Sequence, residues 1–264
     1  MSLTTNAPAP VDGDAPGVRL EQRGHVLLVR MDRPAKHNAL DARMTEGLDA
    51  ALNQLEDDPL LWVGVLSGTP QMFCAGTDLK RGAGAPTARG GPYGVVRRDR
   101  SKPLVAAVEG GAYGGGLELV LACDLVVAAR DAVFALPEVS RGVIATCGGL
   151  FRATQTLPLN IAKELLLTGD PLSADRAYAL GLVNLLTDPG EALPAAMALA
   201  ERIVANSPTS VQATLRAVAA TSGLGDELGW AATEEATAVV LASADSREGV
   251  AAFLERRPPR WTGA

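Results

Sequence analysis

The chain predicts an α/β fold closed by a helical C-terminal region. Three observations lead there: short apolar runs of strand length, an amphipathic helix between the first two of them, and a loss of strand-like segments after about Pro189. The runs are Val26 to Met31, Trp62 to Ser67, Leu104 to Val108 and Leu125 to Ala129. Each is apolar almost without interruption, the pattern of a strand covered on both faces. Between the first two, Asp41 to Leu55 places Met44, Leu48, Leu52 and Leu55 at spacings of four, four and three, one stripe of a helix. Asp41 stands where a carboxylate caps such a helix. Strand, helix, strand in succession builds a layered architecture. Glu191 to Ala205, Pro208 to Thr221 and Gly225 to Ala242 then read as Ala-rich helices with Gly and Pro at their breaks.

The expected organisation is a loose tail over 1–17, an α/β core over 18–190 and a helical region over 191–264. The tail lacks the basic patch and apolar run of a signal peptide. No stretch approaches the ~20 apolar residues that span a bilayer, so no membrane partner and a cytoplasmic location are expected. Gly82 to Gly94, rich in Gly and Ala, reads as a mobile loop, and its place after a candidate site makes it a lid or pocket wall.

Apolar residues make up 47% of the 264, enough for a buried core. The net charge of -6 argues against nucleic acid as a partner, because that role needs a basic surface to replace phosphate counterions. A local basic strip, Arg97, Arg98, Arg100 and Lys102, is still suited to a small phosphorylated ligand. Cys74, Cys123 and Cys147, with no CxxC and two histidines in the chain, indicate neither a metal site nor a disulfide framework. Reduced thiols fit better.

The stretch with most chemical content is Glu109 to Asp124, EGGAYGGGLELVLACD. A strand runs through a glycine-rich turn into a helix from about Gly115, whose first N–H groups lack intrahelical partners and favour an anion or a developing oxyanion. No Lys-Ser or Lys-Thr follows the glycines as a P-loop requires, and Leu119 breaks the dinucleotide spacing after Gly114 and Gly116. The alternative is that these glycines only allow close helix–strand packing. Glu118 sits between Leu117 and Leu119 on an apolar helix, so it must be paired, protonated or functional. Arg141 and Arg152 are the candidate salt-bridge partners. Glu138 follows twenty residues later, after the next strand. If one cleft holds both carboxylates, their repulsion raises one pKa, and the pair can serve as acid and base near neutral pH. A second candidate oxyanion element is CAGTDLK, Cys74 to Lys80, in which Asp78 is placed to cap a following helix.

Taken in order, RPAKHNALDARM, FCAGTDLK, KPLVAAVEGGAYGGGLELVLACDLVVAA, FALPEVSRGV, LLLTGDPLSADRAYALGLVN and SREGVAAFLERRPPRW resemble the enoyl-CoA hydratase (crotonase) superfamily. The resemblance spans nearly the whole chain apart from the tail and the Gly82 to Gly94 loop. It implies a ClpP-like spiral of ββα units with a helical C-terminal trimerisation region, in a homotrimer or a dimer of trimers. It also implies an acyl-CoA substrate, with coenzyme A entering as part of that substrate and no permanently bound cofactor. Position by position, the oxyanion hole would be the N–H groups of Thr77 and Gly115. Ala75, Thr77, Asp78, Leu79 and Lys80 would line the CoA pocket with Gly114 and Gly115, while the Lys36 to Leu40 region, Ala39 included, would border pantetheine and adenine. Arg256 would reach CoA phosphate from a neighbouring subunit. Glu118 and Glu138 would be the two catalytic glutamates, the first on the attacking water and the second on the C2 proton.

The implied activity is hydration of a 2-enoyl-CoA in lipid metabolism, with isomerisation through Glu138 or non-catalytic acyl-CoA binding as alternatives. Thr146 departs from the family pattern, standing where a glycine N–H usually positions the water. Cys147 beside it has no histidine to activate it and reads as packing. FALPE and the Leu157 to Gly169 run are similar to the carnitinyl-CoA dehydratase branch, which hints at a short or polar acyl group.

Overall fold

The computed structural model describes residues 17–222 and 226–260. The N-terminal tail, apart from Gly17, and Trp261 of the last matching run lie outside the described residues. The strands are β1 (Val18–Arg23), β2 (Val26–Met31), β3 (Val63–Ser67), β4 (Leu104–Val108), β5 (Gly111–Tyr113), β6 (Leu125–Ala129), β7 (Val133–Ala135), β8 (Leu172–Ser173) and β9 (Leu185–Thr187). The helices are α1 (Ala42–Asp57), α2 (Gly115–Leu121), α3 (Gly149–Thr156), α4 (Leu159–Thr168), α5 (Ala174–Ala179), α6 (Ala192–Val204), α7 (Pro208–Ser222), α8 (Asp226–Ala242) and α9 (Ala244–Glu255).

The main sheet runs β1-β2-β3-β4-β6-β9, parallel except for the β1–β2 hairpin. Its two faces explain the uninterrupted apolar runs. In β2, Leu27, Val29 and Met31 join the large core with α1, while Val26 and Leu28 turn to the opposite layer under α6. β4 splits likewise, Leu104, Ala106 and Val108 against Val105 and Ala107. Alternate side chains leave a strand on opposite sides, so a sheet with both faces covered needs apolar residues at every position.

Helix α1 starts as its sequence predicts. The Asp41 carboxylate accepts from Met44 N at 3.0 Å, and Met44, Leu48, Leu52 and Leu55 are buried. The last strand ends at Thr187, and α6 lays Ala192, Ala196, Met197 and Ala200 on the sheet. The first helix beyond residue 190 is therefore a layer of the α/β core. A small second sheet, β5-β7-β8, stands apart from the main one and carries the site.

The basic strip is corrected by its partners. Arg98 pairs with Asp49 at 2.5 Å, Arg100 with Asp124 at 2.6 Å and Arg97 with Glu234 at 2.9 Å. Lys102 is buried, donating to the Leu55 and Asp58 carbonyls at 2.7 Å each. These cations serve internal acceptors and leave no strip for a phosphorylated ligand. Gly82 to Gly94 is also tied down. Thr45 Oγ1 donates to Ala83 O (2.7 Å), and Thr87 Oγ1 donates to Asp49 (2.6 Å). Thr87 and Gly91 exchange main-chain bonds at 2.9 and 3.0 Å. The segment is a fixed wall, and its Tyr93 is buried.

Candidate active site

A cavity of about 530 Å³ opens where β5 and β7 end. Ligands gather at such carboxyl ends of parallel strands because the following turns and helix starts aim free N–H groups outward.

One wall is main chain. The Gly76 carbonyl accepts from Leu40 N, and Asp78 N donates to Leu40 O, both at 2.8 Å. Thr77 between them forms an isolated parallel bridge with Leu40, so alternation along the extended chain turns its N–H the other way. Among the described residues no main-chain carbonyl accepts from Thr77 N. Gly114 N donates to Ala135 O (2.8 Å) and Glu118 N to Gly114 O (3.0 Å), leaving Gly115 N as the first open donor of α2. Gly76 (φ +89°) and Gly114 (φ +54°) hold the left-handed backbone that both turns need. A Cβ on Gly76 would stand 2.7 Å from Tyr113 O and 3.2 Å from Gly115 N. The Thr77 and Gly115 segments therefore touch. Gly116 serves packing, since a Cβ there would lie 2.3 Å from Cys74 O.

The two glutamates reach this wall from different elements. Tyr113 pairs with Ala135 in the β5–β7 ladder, so the chain leaves both strands at the same end. That register brings Glu138, in the turn Pro137–Arg141, to Gly114: its Oε1 lies 3.0 Å from where a Gly114 Cβ would stand. Glu138 Oε2 is buried and accepts no hydrogen bond among the described residues. Glu118, 2% exposed, sits in the first turn of α2. Among the described residues neither candidate arginine hydrogen-bonds to it, although the Arg152 charge lowers its pKa. Its Oε1 accepts from Cys147 N at 2.6 Å and Gly149 N at 3.0 Å, at the start of α3.

Burial pushes Glu118 up to about 8, and the Glu138 charge adds to it, against the pull of the Gly149 and Cys147 N–H groups. Burial also raises Glu138 to about 7, against its own N–H and the Arg141 charge. Two neighbouring carboxyls raised this far hold one proton between them near neutral pH.

The remaining predicted residues fall on the same cavity. Lys36, Ala39, Ala75, Asp78, Leu79 and Lys80 line one rim, and Gly114, Gly115 and Thr146 line the floor with the glutamates. Asp78 caps a turn, not a helix: its Oδ1 accepts from Lys80 N (3.1 Å) and Arg81 N (3.3 Å), while Oδ2 meets Arg33 at 3.0 Å. Thr146 is exposed at the cavity, but the N–H groups on Glu118 belong to Cys147 and Gly149. Arg256 is exposed and does not line the cavity within one chain. Cys147 is buried, and burial pushes its thiol up to about 12, so it remains protonated. Residue reasoning missed Tyr93, whose hydroxyl meets Thr77 Oγ1 at 2.8 Å and would stand 2.6 Å from a Gly115 Cβ. It also missed the apolar wall from α8 and α9, with Leu241, Phe253 and Leu254.

The profile of the enoyl-CoA hydratase/isomerase family matches residues 21–264. A carnitinyl-CoA dehydratase from Salmonella arizonae is 37% identical over 257 residues, 93% of this chain and 98% of that protein. The structure of a carnitinyl-CoA dehydratase from Mycobacterium avium superposes with a TM-score of 0.89 at 42% identity, covering 95% of this chain and all (100%) of that one. An enoyl-CoA hydratase structure from Mycobacterium tuberculosis has a TM-score of 0.77 at 47% identity, with the same coverage of 95% and 100%. With its profile matched from the first strand onward and its fold shared, the chain belongs to the enoyl-CoA hydratase/isomerase (crotonase) family.

Proposed function

We propose that this protein is an enoyl-CoA hydratase, adding water across the C2–C3 double bond of a 2-enoyl-CoA thioester to give the 3-hydroxyacyl-CoA. One observation carries the proposal: two buried carboxyls and two open main-chain N–H groups share the wall of one cavity. The Thr77 and Gly115 N–H groups donate to the thioester oxygen and hold the charge that builds there as the enolate forms. Removing one such donor typically costs ~2.7–4 kcal/mol of transition-state stabilisation.

In the reactive form the shared proton sits on Glu138, and the charged Glu118, anchored through Oε1, orients the water and takes a proton from it as its oxygen bonds to C3. The π electrons move through C2 into the thioester oxygen. Glu138 then delivers a proton to C2 and the carbonyl reforms. The proton gained by one carboxyl matches the proton lost by the other, which suits a pair sharing one proton near neutral pH. Thr146 offers its N–H to the same water, with its side chain narrowing the space.

The exposed Lys36 and Lys80 on the Ala39–Asp78 rim suit the phosphates of CoA, and Arg256 completes that site from a neighbouring subunit. The apolar side chains left open on α8, Leu228 (74% exposed) and Val239 (69%), support a homotrimer or dimer of trimers built through the helical region after residue 190. Light scattering would then give three or six times 27.2 kDa. No helix among the described residues is long and apolar enough to cross a membrane, which fits action in the cytoplasm. The cycle needs no cofactor beyond the substrate's own CoA.

The test is turnover of 2-enoyl and 3-enoyl thioesters by wild type, Glu118→Gln and Glu138→Gln. Each variant should lose about 10²–10⁴-fold in hydration. Near wild-type hydration in both variants would exclude the mechanism. Loss of double-bond migration in Glu138→Gln alone would identify an isomerase.

A further inference from the structure

The cavity holds one cation that the hydration steps leave idle. Arg141 closes the short helix that carries Glu138 and lines the same cavity. Its guanidinium carbon stands 4.8 Å from the ring centre of Phe253, itself a cavity residue. Arg33, Arg98 and Arg100 each meet an aspartate, yet among the described residues Arg141 enters no ion pair and donates no side-chain hydrogen bond. Burial lowers its pKa, offset in part by Glu138. A half-buried guanidinium held against a ring, with its donors unspent, is costly until an anion arrives.

We propose that Arg141 binds a carboxylate at the far end of the acyl group, so that the preferred substrate is the mono-CoA thioester of an unsaturated dicarboxylic acid. The inference rests on the hydration proposed above. Arg141 comes from a different element than the rim lysines. Lys36 and Lys80 stand on the rim beside Ala39 and Asp78, whereas Arg141 lies three residues beyond Glu138, with Val143 and Ile144 lining the cavity after it. A planar guanidinium takes a carboxylate through two parallel hydrogen bonds, which a stacking ring pre-orients. The same charge repels a trimethylammonium tail, the group a carnitinyl thioester carries. On this point the chain should part from the relatives named for that substrate.

The experiment compares kcat and KM for three 2-enoyl-CoA thioesters of one chain length, ending in carboxylate, neutral carboxamide or trimethylammonium. Wild type should prefer the carboxylate, and Arg141→Gln should lower kcat/KM for it by roughly 10–100-fold relative to the carboxamide, mostly through KM, each thioester being compared at the pH optimum of the variant because loss of the Arg141 charge also acts on Glu138. Arg141→Lys, which keeps the charge without the fork, should recover part of the loss. Thermal melting of each variant separates misfolding from lost recognition, and a folded Arg141→Gln that keeps wild-type preference overturns the proposal. Equal loss on all three thioesters, with weaker inhibition by free CoA, would assign Arg141 to phosphate and overturn it too. Equal loss on all three thioesters that a change of pH recovers would leave Arg141 acting through Glu138 alone, again overturning it. If wild type hydrates none of the three, hydration itself fails, a result distinct from any of these.

Discussion

The two ends of the cavity are built from different material. At the proposed oxyanion end, the groups are open main-chain N–H donors and the buried Glu118 carboxyl, fixed by the Leu40–Thr77 and Cys74–Ala112 bridges and by the start of α3. At the far end, the surface is side chains on the last helices, with Leu241 63%, Phe253 47% and Leu254 42% exposed. Backbone held by the core keeps its geometry whatever side chains surround it, so chemistry common to many acyl groups belongs there. Side chains on exposed helices can change without disturbing that geometry, so discrimination among acyl groups belongs at the other end.

The most damaging way to probe this contrast is Gly76→Ala. The position needs φ +89°, and the added Cβ would press on Tyr113 O at 2.7 Å, shifting the neighbouring Thr77 and Gly115 donors. The kcat of folded variant should fall about 10²–10³-fold, the worth of an oxyanion donor. Stability should drop by about 1–3 kcal/mol from backbone strain. A kcat within threefold of wild type, measured on protein shown folded by circular dichroism, would remove the main-chain end from the chemistry.

A smaller effect sharpens the same contrast through pH. Glu118 titrates at about 8 in the fold against 4.5 for an ordinary glutamate. Between those values the folded chain keeps a proton that the unfolded chain has released. Stability therefore falls as pH rises from 4.5 toward 8. Glu118→Gln removes that slope, and its amide oxygen can still accept from Cys147 and Gly149. The variant should melt above wild type at pH 8 by at least about 2–4 °C, roughly 1 kcal/mol. The gap should close below pH 4.5. Equal melting temperatures at both pH values would mean that the carboxyl is not held in its raised state.

How much of this was legible in the sequence follows the same division. The strands buried on both faces announced themselves as apolar runs, and Glu118 stood out as one charge on an apolar helix. The edge strand β1, VRLEQR, did not, because a strand with one neighbour and exposed side chains carries no such run. Strands β5, β7 and β8, two or three residues long, are set by pairing alone. Glu138 was found by spacing, but what brings it to the site, the Tyr113–Ala135 register, has no residue signature. The N–H groups of Cys147 and Gly149 are equally invisible, since every residue but proline has one. The basic strip was misread because its partners, Asp49 and Asp124, lie far away in sequence.

Tyr93 tests where the border between the two ends lies. It is a side chain, yet its hydroxyl reaches Thr77 Oγ1 at 2.8 Å, and its backbone sits at φ +57°, a conformation strained for a tyrosine. Burial pushes its pKa well up, so the hydroxyl is neutral and its hydrogen bond is an ordinary one. Tyr93→Phe keeps the ring against Gly115 and deletes the hydroxyl's bonds to Thr77 Oγ1 and to the Cys147 thiol. The loss should be about 0.5–1.5 kcal/mol of stability. The Thr77 N–H is oriented by the Leu40 bridge and not by the Thr77 side chain, so kcat should stay within about fivefold of wild type, a shift worth ~1 kcal/mol. A hundredfold fall in kcat with little loss of stability would place the phenol among the groups that fix the oxyanion donors. The division between a main-chain end for chemistry and a side-chain end for selection would then give way at this one residue.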